Sequence, residues 1–315
     1  MENFGPKRKL VEGTAIIIIY LIILAITVYL PLVGLLAFIL LPLPYIYQTV
    51  RMGLRQAILL GVLCSGLSLL FIPVQLVWLT VLATSVGAVM GWYYKLKAGP
   101  FIPVLTGVLT YLINFALYIF LAYFLFQFNI FEYFEQTMKQ HMAANSNVLL
   151  AQPGSGNVEE MTEQVVQLLT QLIPGWIILF STVLAFLNHF AARRIFQAMG
   201  VEVNPLVPFR QWNFPKAILY YYLIALFILL VKLVDQESKL YMPVINLHFV
   251  LEILLLIQGL TLIAHFFYLK GIHRALVVIL AGLSFIPFIA SLIRIVGIID
   301  LGFNLKERLN HALRS

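Results

Sequence analysis

Lys7-Arg8-Lys9 is followed closely by Ala15-Ile16-Ile17-Ile18-Ile19-Tyr20-Leu21-Ile22-Ile23-Leu24-Ala25-Ile26-Thr27-Val28-Tyr29-Leu30. A cluster of bases thus opens onto a long apolar run without a single charge. A bilayer core takes roughly 20 apolar residues per helical crossing, and basic residues collect beside the crossing on the cytoplasmic side. The run is too long for a signal-peptide core, and no small-x-small cleavage site follows it. It is read as an uncleaved first membrane helix.

The same alternation continues along the chain. Further apolar segments lie at about 34–50, 53–72, 74–94, 101–127, 173–192, 216–234, 244–269 and 275–300. Hydrophobic residues make up 62% of the 315, and charged residues only 10%. With a mean hydropathy of +0.98, this lies outside the range of soluble globular domains. The fold class is all-α: a polytopic transmembrane helix bundle with eight or nine membrane segments. The doubt over the count comes from 34–50, which is short and carries Pro42 and Pro44. Proline removes a backbone hydrogen bond that lipid cannot replace, so a broken or tilted helix is expected there.

Charge orients the bundle. With the N-terminus in the cytoplasm, the gaps holding Arg51 and Arg55, Lys95 and Lys97, Arg193 to Lys216, and Lys270 and Arg274 all fall inside. Residues 128–172, with Glu132, Glu135, Glu159, Glu160 and Glu163 against Lys139, fall outside. Nine crossings would also put Lys306, Arg308 and Arg314 outside, against the rule. Either one segment does not cross or the tail is an exception. The net charge of +7 forms no continuous stripe, so the bases mark topology and contacts to anionic lipid, not nucleic acid. The localisation expected is the cytoplasmic membrane, multi-pass.

Three regions follow. Residues 1–200 hold six segments and the extracytoplasmic insertion at 128–172. Residues 201–215 form a Pro-rich cytoplasmic connection, and 216–315 hold the last segments and a basic tail. Within the insertion, Ile130, Phe131, Phe134, Met138 and Met142 recur at helical spacing, as do Val158, Met161, Val165, Leu168, Leu169 and Leu172. The breaker Gln152-Pro153-Gly154-Ser155-Gly156-Asn157 separates them. This is an amphipathic hairpin, either resting on headgroups or serving as a lid or partner surface.

Few residues carry chemistry. The sole cysteine, Cys64, rules out an intrachain disulfide and a cysteine metal cluster. There is no G-x-x-x-x-G-K-[ST], H-E-x-x-H or G-x-S-x-G motif, and no catalytic, cofactor or metal residues are assigned. His248, Glu252 and Arg294 form the candidate intramembrane polar cluster. Counted from Lys270 and Arg274, Glu252 and Arg294 reach similar depth in what are expected to be adjacent antiparallel helices. They constitute either a structural ion pair or a ligand or proton site. Ala83, Gly87 and Gly91, spaced by four, form a candidate helix-packing face for this chain or for a membrane partner. Asn114 is a candidate polar core residue, an interhelical hydrogen-bond donor or a ligand contact. Asn188, His189 and Asp300 are placed at membrane interfaces.

Leu41-Pro42-Leu43-Pro44 with Arg51-Met52-Gly53, Ile173-Pro174-Gly175-Trp176, Pro208-Phe209-Arg210-Gln211-Trp212-Asn213-Phe214-Pro215, and Gly297 to Arg308 resemble segments of the YybS-like bacterial membrane proteins. That family's first six segments are in turn similar to the S components of energy-coupling factor (ECF) transporters. The resemblance implies an S-component-like six-helix core that captures a small-molecule ligand, with separate coupling and ATPase subunits driving uptake. No cofactor is implied. The alternative reading is a membrane scaffold or regulatory protein.

Overall fold

The computed structural model describes residues 6–144, 158–199 and 205–312. The chain is all-α, with no strand among the described residues. The helices are α1 (Pro6–Tyr29), α2 (Pro31–Leu40), α3 (Leu43–Met52), α4 (Leu54–Ser68), α5 (Trp78–Lys95), α6 (Ile102–Phe126), α7 (Ile130–Ala144), α8 (Val158–Gln171), α9 (Ile173–Ala198), α10 (Ala217–Leu230), α11 (Tyr241–Leu269), α12 (Ala275–Leu283), α13 (Pro287–Phe303) and α14 (Leu305–Ala312). Among the described residues six spans are long and apolar enough to cross a bilayer: most of α1, the α2–α3 pair, α5 with its 3₁₀ lead, α6, α9 and α11; the bent pair α12–α13 makes a seventh if it counts as one span. The apolar helices α4 and α10, with 15 and 14 residues, are shorter than the roughly 20 of an upright crossing.

Prolines and a glycine set the breaks. Pro31 opens α2, where a missing N–H costs nothing. Pro42 and Pro44 separate α2 from α3, as their spacing foretold. Gly53, at φ +100°, ends α3 and starts α4, a conformation that a side chain resists.

Contacts divide the chain into two units. The first comprises residues 1–130 and 177–206, the second residues 131–176 and 207–315. The amphipathic insertion, placed with the first module by sequence, therefore groups with the C-terminal helices. The reason is a set of contacts around Asn246 of α11. Its Nδ2 donates to the Gln171 carbonyl at 2.7 Å, and its Oδ1 accepts from the Gly175 N–H at 2.6 Å. Trp176 packs on Phe249 with ring centroids 5.1 Å apart. In α8 the buried side chain is Val166, while Met161, Val165 and Leu168 of the expected apolar face are exposed. The breaker at 152–157 lies outside the described residues.

In the first unit the core runs through Leu43, Ile46, Leu82, Val86, Met90, Val104, Tyr111 and Leu184. The basic helix ends gather at one end of this unit. Arg51 pairs with Glu12 at 3.5 Å, and the Lys95 amine lies against Gly53.

In the second unit α13 runs parallel to α11, not antiparallel as the depth argument assumed. Glu252 meets Arg294, Leu255 meets Gly297 and Gln258 meets Asp300, each pair 42 residues apart in sequence. Gly259 and Gly297 let the two backbones touch; a Cβ on either would collide with a carbonyl of the other helix. Parallel packing is possible because α12 and α13 are bent 119° apart, so the chain nearly reverses between them. The pair begins just after the C-terminal end of α11. It finishes beside that same half of α11, where Lys306 donates to Thr261 Oγ1 and the Trp212 carbonyl. The pair therefore doubles back beside α11 and does not run on as one straight helix.

Candidate functional site

Polar side chains on α5, α6 and α9 meet inside the first unit. Tyr94 Oη and His189 Nδ1 are 2.7 Å apart. Asn188 Nδ2 donates to Tyr111 Oη at 2.9 Å and to the Leu184 carbonyl at 2.8 Å. Asn188 and His189 are both fully buried, not at an interface as their nearness to Arg193 suggested. The helix turn places both on the inward side of α9, with Leu184 and Ala185 one turn earlier. Two valences stay open there. Asn188 Oδ1 and His189 Nε2 are buried with no hydrogen-bond partner. Leaving such a group unpaired costs about 1–3 kcal/mol. The open groups offer an acceptor beside a nitrogen that donates or accepts according to tautomer.

Asn114 sits one layer away. Its Nδ2 donates to Ser85 Oγ at 2.9 Å and to the Thr110 carbonyl at 2.7 Å, joining α6 to α5. The Ala83, Gly87 and Gly91 face lies against α3. A Cβ on Gly87 would meet Tyr45 and the Pro42 carbonyl, and one on Gly91 would meet Thr49 and Ile46. This face packs helices within the chain.

In the second unit Arg294 Nη1 pairs with Glu252 Oε1, and Nη2 donates to Ser291 Oγ at 2.9 Å. His248 does not join them by hydrogen bond. It stacks on Tyr222 with centroids 5.1 Å apart, and its Nε2 is buried and unpartnered. Sequence reasoning missed a second network a short way along α11. Asp300, 3% exposed and not interfacial, accepts from Gln258 Nε2 and, at 3.1 Å, from the Lys306 N–H. Gln258 also donates to Asn213 Oδ1 at 2.9 Å and accepts from the Phe214 N–H at 3.1 Å. Burial pushes the Lys306 amine below its ordinary range, and Asp300 pulls it back up. Every member is partnered, so this network fixes structure. The only signal in the sequence was the mixed polar composition of 300–306 beside the Pro-rich connection.

Among the described residues no group of three His, Cys, Asp or Glu side chains could hold a metal ion. Cys64 is buried and free.

Long apolar helices, internal polar pairs and glycine-mediated helix contacts define an all-α, multi-pass integral membrane protein. The chain belongs to the family described as "Predicted membrane protein (DUF2232)", whose model matches residues 18–301. It is 28% identical over 310 residues to "Uncharacterized protein YybS" of Bacillus subtilis (strain 168), covering 96% of this chain and 98% of that one. No solved structure matches it.

Proposed function

We propose that this protein is a small-solute-binding subunit of an uptake system in the cytoplasmic membrane, with its N-terminus in the cytoplasm. Separate ECF-type coupling and ATPase subunits supply the energy. The observation carrying this reading is the pair of open valences in the first unit, Asn188 Oδ1 and His189 Nε2, both fully buried between α5, α6 and α9. A core that served packing alone would be more stable with apolar groups at both positions. A solute bearing a hydrogen-bond donor would satisfy Asn188, and the tautomer of His189 can follow the solute. The orientation rests on the basic ends of α3, α5 and α9 gathering together.

Native mass spectrometry of the gently extracted protein tests this. A small molecule retained by the wild type and lost from Asn188→Leu supports the reading. A bare chain overturns it.

A second reading, a scaffold that binds another protein, rests on a different observation. Met161, Val165 and Leu168 form an exposed apolar stripe along α8. Extraction with a protein partner, but no solute, that is lost on Met161→Glu with Val165→Glu would favour it.

A further inference from the structure

Beside the first unit's core runs a groove of about 550 Å³ between α1, α3 and α9. Ala15, Ile16, Ile19 and Ile23 form one wall, and Ile195 and Met199 the other. The floor is α3, from Leu43 and Pro44 to Tyr47. The lining is almost wholly apolar, and the groove opens along helices of membrane-spanning length. Its volume falls within the roughly 300–1,000 Å³ of pockets that hold discrete ligands.

The groove also has a polarity from end to end. On α1 its face runs from Ile23 back to Glu12, and from Leu40 at the end of α2 it runs along α3 to Tyr47, with Arg51 one turn later. Glu12 and Arg51 then pair across α1 and α3 at 3.5 Å and close that end. Basic residues flank the closed end along the chain. Arg51 is partly exposed, and the exposed Arg194 directly precedes the lining residue Ile195 in α9. Lys7, Arg8 and Lys9 lie in the opening turns of α1, just before Glu12. An apolar slot whose end is flanked by basic residues complements an amphiphile with a long hydrocarbon tail and an anionic head.

We propose that this groove is a binding site for an anionic phospholipid, one acyl chain lying along Ile16, Ile19 and Ile23 and the phosphate at the Arg51–Arg194 end. Anionic lipid that merely surrounds the basic helix ends would keep its headgroup preference when the groove is filled. This site distinguishes headgroups, by about fivefold for each basic side chain engaged.

The test uses the full chain, purified in detergent and supplied with phosphatidylglycerol or phosphatidylcholine of identical acyl chains. Retained lipid is counted by native mass spectrometry, and thermal stability is followed in parallel. The expected result is preferential retention of phosphatidylglycerol with a rise in Tm. Arg194→Gln should cut the preference about fivefold while leaving phosphatidylcholine retention unchanged. Ile19→Trp, which fills the slot from an exposed position, should abolish retention of both. Met199→Trp on the opposite wall should do the same, and serves if the first variant does not fold. Equal retention of the two lipids, or a preference that survives a filled groove, overturns the proposal. So does capture of another protein's helix by a cross-linker placed at position 19 in lipid-free material.

Discussion

Replacing Glu252 by leucine removes the acceptor on which Arg294 rests and leaves a guanidinium inside the α11–α13 interface. Breaking a fully buried ion pair from one side costs about 3–5 kcal/mol, because the remaining charge is stranded. Here the side chains retain 27% and 23% exposure, and Arg294 keeps its bond to Ser291. Scaled for that, the single change should cost about 2–3 kcal/mol. Replacing Arg294 by leucine as well removes the stranded charge and supplies apolar surface of similar size. The double variant should therefore return to within about 1 kcal/mol of the parent. The helices themselves should stay together, since Gly259 and Gly297 hold their backbones in contact independently of the pair. At about 2–4 °C per kcal/mol for a unit of this size, the single variant should lose roughly 5–10 °C in Tm. Thermal unfolding of the detergent-purified protein, followed by size-exclusion recovery, measures this. A double variant that loses as much as the single one, or more, would refute the argument that the pair neutralises itself.

Other outcomes follow from the same packing. Gly259→Val should cost about 3 kcal/mol or more, because its new side chain meets the Ile293 carbonyl, whereas Gly66→Ala, with open space around it, should stabilise α4 by about 0.5–1 kcal/mol; thermal unfolding separates the two. Asp300→Leu should cost about 2–4 kcal/mol by stranding Lys306 and Gln258, and Asp300→Asn should cost less because its single carbonyl oxygen still accepts from one of the two donors; equal losses in the same assay would count against the network. On a Cys64→Ser background, Lys270→Cys and Arg308→Cys should react with an impermeant maleimide from the same side of sealed vesicles if α12 and α13 dip in and return; labelling from opposite sides would show that the bent pair crosses.

Much of the architecture was written in the pattern of charge and hydropathy. Each apolar segment became a helix or a helix pair, and Pro42 and Pro44 marked a break. The Glu252–Arg294 pair was legible too, because a charge in hydrocarbon must find a partner and few were on offer. The direction of α13 was not. Counting residues from Arg274 assumes one straight helix from there to Arg294, but the chain reverses after Leu283. Ser284-Phe285-Ile286 before Pro287 is the local signal, and it is no different in kind from prolines that only kink. Asn188 and His189 were misplaced because Arg193 and Arg194 stand one turn away, and a helix one turn from the interface can already face the core. The Asp300 network joins residues far apart along the chain, from 213, 258 and 300, which no spacing rule relates. On α8 the apolar spacing did not tell which side packs: Val166 is buried, while Met161, Val165 and Leu168 are exposed.

The doubling back of α12 and α13 bears on how the chain is made. A final crossing would carry Lys306 and Arg308 through hydrocarbon, at about 2.5–3.5 kcal/mol for each base at the bilayer centre. A pair that dips in and returns asks for no such transport. In a pair of that kind Lys306 stays on the side from which the pair set out, and its hydrogen bonds to Trp212 and Thr261 close without any charge having entered the bilayer core.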